Sequence, residues 1–237
     1  VEAVCPGTGL AALLDKPNNN LAVEYCKAIL ELGAALVPIP LPRQGAGHGQ
    51  ALTETGGQFA SASALRTLWQ NGGADAAAPY VPAEVLPLYR EAFAAGQYTD
   101  LAAAQRYQLA LLRSRCAAAV RSSTTHAELL DSLTTVRYPR ARMRRLAMDA
   151  ALDYSADAFP ALPPYLHLLG AQKDALPLLK AAALPVSHSL ARLAEQNTPC
   201  RAVVDAQLRA CDFGALCRKK PEPMGGALRQ KIIFLTK

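Results

Sequence analysis

The sequence has few of the side chains from which metal sites and covalent active sites are built. It has only four histidines, none of them four residues from another: His48, His126, His167 and His188. It has six cysteines but no C-x-x-C pair, and no histidine lies at zinc-finger spacing from a cysteine. No Ser-His-Asp or Cys-His order stands out. These absences argue against a metal centre and against a covalent nucleophile. Unpaired cysteines are also typical of thiols kept reduced in a cytoplasm.

Long apolar runs are lacking as well. Charges or prolines interrupt every apolar run before it reaches the roughly 20 residues that a membrane-spanning helix needs. The first residues, VEAVCPGTG, have neither the basic start nor the apolar stretch of a signal peptide, and they do not begin with methionine. We therefore expect a cytoplasmic protein without a membrane partner, in a chain that was processed or that belongs to a longer protein.

The composition is that of a globular protein with a basic surface. Apolar residues make up 51% of the 237 residues and charged residues only 19%, which excludes an intrinsically disordered chain. This length is sufficient for one large core or two modest ones. The formal net charge of +6 favours a polyanionic partner, although only weakly.

The first 82 residues alternate between helical and extended patterns. One of the asparagines at 18–20 is expected to cap a helix that ends at Gly33, since a short amide side chain satisfies free N–H groups. Val37, Ile39 and Leu41 alternate like a strand over 35–41, and the intervening prolines place this strand near a sheet edge. A glycine-rich loop over 44–57 and a serine-capped helix follow. We predict a domain boundary near Pro82.

The rest of the chain is predicted to be rich in helices. The expected helices cover 83–95, 100–120, 125–133, 139–154, 173–183, 189–196 and 203–216. Strands are predicted at 164–169 and 184–187, and they would complete a small α/β unit. The tail from 222 to 237 has no assignable pattern.

Three places in the first part could bind the phosphates of a nucleotide. Asn18 lies at a helix start, where free N–H groups favour anions. Arg43 follows the strand-like run, and its guanidinium matches a phosphate bidentately. Ser61, Ser63 and Arg66 lie at the start of the next helix, as in a phosphate-binding turn. The alternatives are an ordinary N-cap, a solvated surface arginine and an ordinary serine-capped helix.

The densest charge cluster follows in the second part of the chain. It combines five arginines with a tyrosine: Arg137, Tyr138, Arg140, Arg142, Arg144 and Arg145. Such a cluster could bind RNA phosphates and stack on a base, or it could be a solvated helix face. We expect Met143, Leu146 and Ala150 to face inward from this helix.

The order of these segments resembles the later half of the nucleotide-binding domain of the bacterial tRNA(Met) cytidine acetate ligases. That family carries a K-P-N-N turn, a Glu/Gln-Tyr pair, an arginine before a glycine-rich loop, an A-S-A-T/S-x-I/L-R helix start and a Y-V-P exit. The similar residues here are Lys16 to Asn19, Glu24-Tyr25, Arg43, Ala60 to Arg66, and Tyr80 to Pro82. Further on, the family's K-R-Y-T-x-x-R-x-x-R helix and P-Y-I-R-L-L-G strand are similar to residues 137–145 and 164–170. The resemblance runs from about residue 11 to residue 218.

The resemblance implies an α/β fold in two parts. Residues 1–82 would be the C-terminal part of a Rossmann-like nucleotidyltransferase domain, and residues 83–237 an α-rich α/β domain that binds tRNA. Asn18 and Arg43 would contact ATP, accompanied by Mg²⁺, and Arg66 would lie near its phosphates. Acetate would attack the α-phosphate to give acetyl-adenylate and pyrophosphate, and the wobble cytidine of elongator tRNA(Met) would then accept the acetyl group. No side chain of the protein would form a covalent intermediate.

The family's first nucleotide motif, H-x-G-H, is absent from this sequence. We therefore expect the chain to be a C-terminal fragment that binds tRNA and catalyses little by itself. Two alternatives stay open. One is a non-catalytic RNA-binding module with a decayed nucleotide site, and the other is a nucleotidyltransferase that acts on a small molecule.

Overall fold

The structure is a computed structural model that describes residues 6–14, 17–42, 59–115, 118–155, 157 and 159–235. The chain divides into two compact units, Val1–Thr67 and Leu68–Lys237. The predicted domain boundary near Pro82 thus lies inside the second unit, and it remains a prediction. Within the described residues, no helix combines the length and the apolarity required to cross a membrane.

The described residues of the first unit form two helices and the start of a third. Helix α1 spans Leu10–Leu14, α2 spans Pro17–Glu31, and α3 spans Ala62–Gly72. Helix α2 begins at Pro17, so the asparagines at 18–20 lie inside its first turn and do not cap it. Proline favours the first helical position because its fixed φ fits the helix and its missing N–H would have no helical partner. Gly33, at φ 58°, ends this helix region as predicted.

Helix α3 has the predicted start and end. Ser61 caps it, since the backbone N–H of Ala64 donates to the Ser61 hydroxyl oxygen at 3.2 Å. The helix ends before Gly73, which adopts φ 70°, a conformation open to glycine without strain.

The predicted strand over 35–41 is not formed. Residues 34–42 form no regular secondary structure, and they pair with no strand among the described residues. Pro38, Pro40 and Pro42 remove N–H donors from this segment, and a ladder also needs a neighbouring strand. Its apolar side chains are consequently exposed: Leu36, Val37, Ile39 and Leu41.

The second unit opens with a helical region. A 3₁₀ helix at Ala74–Tyr80 precedes five α-helices. These are α4 (Leu86–Ala94), α5 (Leu101–Arg115), α6 (Ala118–Ser122), α7 (His126–Leu133) and α8 (Arg140–Ala151). Helices α5, α7 and α8 pack against one another. Their core consists of Leu109, Leu112, Val120, Leu129, Ala147 and Ala151.

Helix α8 buries a face different from the predicted one. Pro139 is its N-cap, not its first residue, and the buried side chains are Met143, Ala147 and Ala151, at a spacing of four. Leu146 is 48% exposed and Ala150 is also exposed, so the prediction was wrong for both. Ala147 and Ala151 belong to the core that α8 shares with its neighbouring helices, and the sequence of α8 alone does not specify which of its residues face them.

A small α/β region completes the unit. Strand β1 (Leu166–His167) pairs in parallel with β3 (Val186–Ser187), and β2 (Gly170–Gln172) pairs in parallel with β4 (Ile233–Leu235). Between β2 and β3 the predicted helix is a 3₁₀ helix at Lys173–Ala181, which contains Pro177. Helices α9 (Leu190–Ala194) and α10 (Thr198–Leu216) follow β3. The fold is therefore α/β and rich in helices, as predicted, although β2 and β4 were not foreseen.

The core of this region lies between β1 and the two last helices. It contains Tyr165, Leu190, Leu193, Cys200 and Val204. The Tyr165 hydroxyl lies 3.0 Å from the Gln207 Oε1, which gives its polar end a partner. Burial raises the pKa of Tyr165.

Candidate functional site

The predicted phosphate-binding residues lie in the first unit, on two helix starts. Asn18 is exposed in the first turn of α2. The neighbouring Asn19 donates from Nδ2 to the Leu13 carbonyl at 2.8 Å, which ties α2 to α1. Arg43 lies outside the described residues. No hydrogen bond or ion pair between described residues joins Asn18 to the start of α3.

The start of α3 brings the other predicted residues together. Ser61 is buried, and its hydroxyl lies 3.0 Å from that of Ser63, which is exposed. Arg66 is exposed about one turn further on, and it has no acidic partner within the described part of the chain. A free cation and an exposed hydroxyl thus stand next to the positive end of a helix, where an anion would be favoured. The cap itself uses the Ser61 hydroxyl.

The first unit also contains an apolar cavity that the sequence did not predict. It has a volume of about 720 Å³. Its walls come from α2 and from the segment that follows this helix: Ala22, Tyr25, Cys26, Ala28, Ile29, Leu32, Ala34, Leu36, Pro38, Ile39 and Pro40. The predicted pairing of a strand over 35–41 gave no indication of this cavity.

The predicted RNA-binding residues lie together at the start of α8 and in the turn before it. We call this set the arginine surface: Arg137, Tyr138, Arg140, Arg142, Arg144 and Arg145. All six are exposed. Arg140 forms an ion pair with Asp131 of α7. None of the other four arginines pairs with an acidic residue that the structure describes, so the start of α8 and the turn before it carry uncompensated positive charge.

The turn before α8 is held by backbone hydrogen bonds. The Tyr138 N–H donates to the Thr135 carbonyl at 3.1 Å, and the Thr135 N–H donates to the Tyr138 carbonyl at 3.0 Å. Val136, at the tip of this turn, is fully exposed. The guanidinium groups of Arg137 and Arg142 lie 5.6 and 5.5 Å from the centre of the Tyr138 ring. Cation–π attraction therefore holds both arginines beside the tyrosine.

His126 lies close to the arginine surface, and sequence reasoning did not select it. It is the first residue of α7, and its Nε2 atom is buried without a hydrogen-bond partner among the described residues. Burial lowers the pKa of His126, and the positive charges of Arg140 and Arg144 lower it further. Only the packing of α7 on α8 reveals this environment, since the two arginines follow His126 by more than ten residues in the sequence.

The first turn of α7 is fixed by a capping box. The Glu128 N–H donates to the Thr125 hydroxyl at 3.1 Å, and the Glu128 carboxylate accepts from the Thr124 N–H at 2.8 Å. These hydrogen bonds lower the pKa of Glu128, with the Thr124 N–H as the largest cause. The position of His126 is therefore well defined.

The described residues hold no group of three or more His, Cys, Asp or Glu side chains that could bind a metal ion. The described residues do offer positive charge that can bind anions. This charge lies at the start of α3 in one unit and at the start of α8 in the other, on arginines that have no acidic partner among the described residues.

Sequence comparison gives the relatives of the chain. A tRNA(Met) cytidine acetate ligase from Levilactobacillus brevis is 27% identical over 237 residues, which cover 88% of this chain and 61% of the relative. One from Streptococcus suis is 32% identical over 178 residues, covering 68% of this chain and 45% of the relative. The chain thus spans less than two thirds of the length of these curated relatives.

Solved structures agree with the sequence comparison. Thermotoga maritima TmcAL bound with α-thio ATP superposes with a TM-score of 0.73 at 17% identity, covering 94% of this chain and 61% of that chain. The apo form superposes with a TM-score of 0.78 at 18% identity, with coverage of 94% and 62%. At these identities the likeness establishes the fold, and it confirms the nucleotidyltransferase-like α/β architecture.

The sequence pattern that defines the HIGH nucleotidyl transferase family matches residues 6–226, which is most of the chain. The resemblance to the cytidine acetate ligases rests on the same region and is confirmed by the relatives. The chain therefore belongs to the HIGH nucleotidyl transferase family.

Proposed function

We propose that this chain is part of an ATP-dependent ligase that activates acetate as acetyl-adenylate and acetylates the wobble cytidine of elongator tRNA(Met). The observation that carries this proposal is the arginine surface, where four exposed arginines have no acidic partner among the described residues. It lies in a chain whose relatives are named tRNA(Met) cytidine acetate ligases. Because the chain spans less than two thirds of those relatives, the activity of the whole protein is part of the proposal.

The proposed ATP site is formed by Asn18, Arg43, Ser61, Ser63 and Arg66, with Mg²⁺ accompanying the phosphates. The exposed Ser63 hydroxyl and Arg66 at the start of α3 support this assignment, as does the α-thio ATP bound to the Thermotoga maritima structure. A carboxylate oxygen of acetate attacks the α-phosphorus, and pyrophosphate leaves. The cytidine N4 amine then attacks the acetyl carbonyl, loses a proton, and AMP leaves. The protein contributes positioning and positive charge to these steps.

The proposed tRNA site is the arginine surface. Each guanidinium that neutralises a phosphate releases condensed counterions, which gives affinity and a strong dependence on salt. Arg137 and Arg142 are already held beside Tyr138, so less rotamer entropy is lost when they bind a phosphate. These features support the cytoplasmic tRNA-modifying role that the family implies.

One part of the proposal is that a longer protein completes the nucleotide-binding domain. The exposed apolar segment at 34–42 supports this part. Val37 and Ile39 are 84% and 80% exposed on a segment with the alternation of a strand. Such a segment is suited to pair with a neighbouring strand and to bury its side chains there.

The direct test is binding of elongator tRNA(Met) to this chain at about 50 and 200 mM salt. We expect measurable binding that weakens steeply at the higher salt concentration. Undetectable binding, or binding that does not depend on salt, would contradict the proposed partner.

A second measurement separates the ligase from a non-catalytic module. The capping role of the buried Ser61 is the observation that favours a module, since an ordinary cap needs no nucleotide. We expect calorimetry with ATP and Mg²⁺ to give heat of binding on the protein encoded by the complete reading frame. An Arg66→Ala variant should bind more weakly, and Arg106→Ala, an exposed arginine of α5, is the control. No heat with the wild-type protein would favour the module.

A further inference from the structure

His126 has an unusual environment for a residue at a protein surface. Its ring is half-buried, and its Nε2 atom is enclosed without a hydrogen-bond partner among the described residues. Buried polar atoms are nearly always satisfied, and an exception in a native fold calls for a reason. The capping box at Thr124, Thr125 and Glu128 holds the residue in this position.

The helices that pack on α7 all carry basic residues, and two arginines of α8 act on His126. From α8, Arg140 and Arg144 act on the ring. From α5, Arg113 donates to the Ser123 carbonyl at 2.6 Å, and α6 contributes the exposed Arg121. The acidic groups of α7 are engaged, Glu128 by Thr124 and Asp131 by Arg140. The charge of Arg140 is therefore partly offset, and Arg144 is the arginine that acts on the ring without an acidic partner among the described residues. The imidazole therefore faces a net positive field whose sources include two residues of the arginine surface.

We propose that His126 is a positioning residue that couples RNA binding to proton uptake. The imidazole takes up a proton more readily when RNA phosphates occupy Arg140 and Arg144 than when the arginine surface is free. This inference rests on the proposed function, since RNA is the polyanion that it names.

The direction of the coupling follows from electrostatics. The two arginines and burial hold the pKa of His126 below its ordinary value of about 6.5. Phosphates bound at Arg140 and Arg144 offset the positive field, so the cost of an imidazolium falls and its pKa rises. Because the complex then binds more protons than the free protein, affinity increases as the pH decreases. A rise of one pKa unit corresponds to a gain in affinity of at most about tenfold, which is approached at pH values below both the free and the bound pKa.

The test compares the affinity for elongator tRNA(Met) at pH 8 and pH 6, at constant ionic strength. The affinity of the wild-type protein should increase from pH 8 to pH 6. This increase should exceed that of His126→Gln by up to about tenfold, because glutamine cannot take up the proton. At pH 8 the two proteins should bind within about twofold of each other. His188→Gln, which removes an exposed histidine of the same unit, should behave like the wild type. If His126→Gln keeps the full gain towards pH 6, the coupling is wrong.

A measurement on the wild-type protein keeps the inference testable if the variant does not fold or if tRNA does not bind. The His126 ring is followed by NMR over pH 4.5 to 8 with and without a heparin fragment, a polyanion that is not RNA. We expect the midpoint of its titration to rise when heparin is present, and an unchanged midpoint would overturn the coupling. If the midpoint rises with heparin but tRNA does not bind, the coupling is supported, whereas the proposed function and the choice of RNA as the polyanion are contradicted.

Discussion

At the scale of single residues, the arginines of the arginine surface differ in what they are free to do. Arg140 is paired with Asp131, so an alanine in its place would leave that carboxylate without its partner. Arg144 and Arg145 have no acidic partner among the described residues, and Arg142 contacts the Tyr138 ring. Their replacement therefore tests RNA contact without breaking an ion pair of the fold.

Glu128 makes a contribution to stability that depends on pH. Its hydrogen bonds to Thr124 and Thr125 lower its pKa in the folded state relative to the unfolded state. The sign follows from linkage: this stability is present above the unfolded pKa of about 4.3 and is lost as the pH falls through the lower, folded pKa. In urea unfolding at pH 7 and pH 3, Glu128→Gln should show a smaller loss of stability on acidification than the wild type. Glu91→Gln, on an exposed side chain of α4, should lose as much as the wild type does. An equal loss in both variants would contradict the role of the capping box.

At the scale of elements, helix ends were predictable and long-range pairings were not. Ser61 caps α3 as predicted, and the helix predicted from residue 125 begins there, with Thr125 as its cap. Such local signals depend on residues close in the sequence. The predicted asparagine cap of α2 was wrong, since that helix begins at Pro17. Strand β4 was missed, since its partner β2 lies more than sixty residues earlier and the tail has no pattern of its own. The segment 35–41 has the alternation of a strand, but its pairing depends on a neighbour that its own residues cannot specify.

Helix α8 gives the sharpest test at this scale. Met143 is buried, whereas Leu146 is 48% exposed. Size and hydrophobicity alone would favour the burial of Leu146. Met143→Ala should lower the free energy of unfolding by about 2–5 kcal/mol, because it leaves a cavity between α8 and its neighbours. Leu146→Ala should change that free energy by no more than about 0.5 kcal/mol. Urea denaturation measures both, and a larger loss for Leu146→Ala would show that the helix faces were assigned wrongly.

At the scale of the whole molecule, the candidate chemistry is divided between the two units. The first unit holds Ser63 and Arg66 at a helix start, together with the apolar cavity beside α2. The second holds the arginine surface on a packed helical core. The sequence located the arginine surface, because an unbalanced run of arginines is visible without a structure. It did not reveal His126 or the apolar cavity, since both depend on which segments pack together.

The central claim is that RNA binds to the arginines of α8 that have no acidic partner among the described residues. The alternative is that RNA is attracted only by the overall positive charge of the protein. Two triple variants remove the same charge from exposed sites of the second unit. One is Arg142→Ala/Arg144→Ala/Arg145→Ala in the arginine surface, and the other is Arg106→Ala/Arg192→Ala/Arg201→Ala on α5, α9 and α10.

The decisive measurement is the dependence of elongator tRNA(Met) affinity on salt for the wild type and these two variants. Each phosphate contact contributes about 0.7 to 0.9 to the slope of log K against log salt. We predict that the arginine-surface variant loses about 2 to 3 from this slope, whereas the control variant keeps the wild-type slope. Equal slopes for the two variants, or a wild-type affinity that does not respond to salt, would contradict the claim.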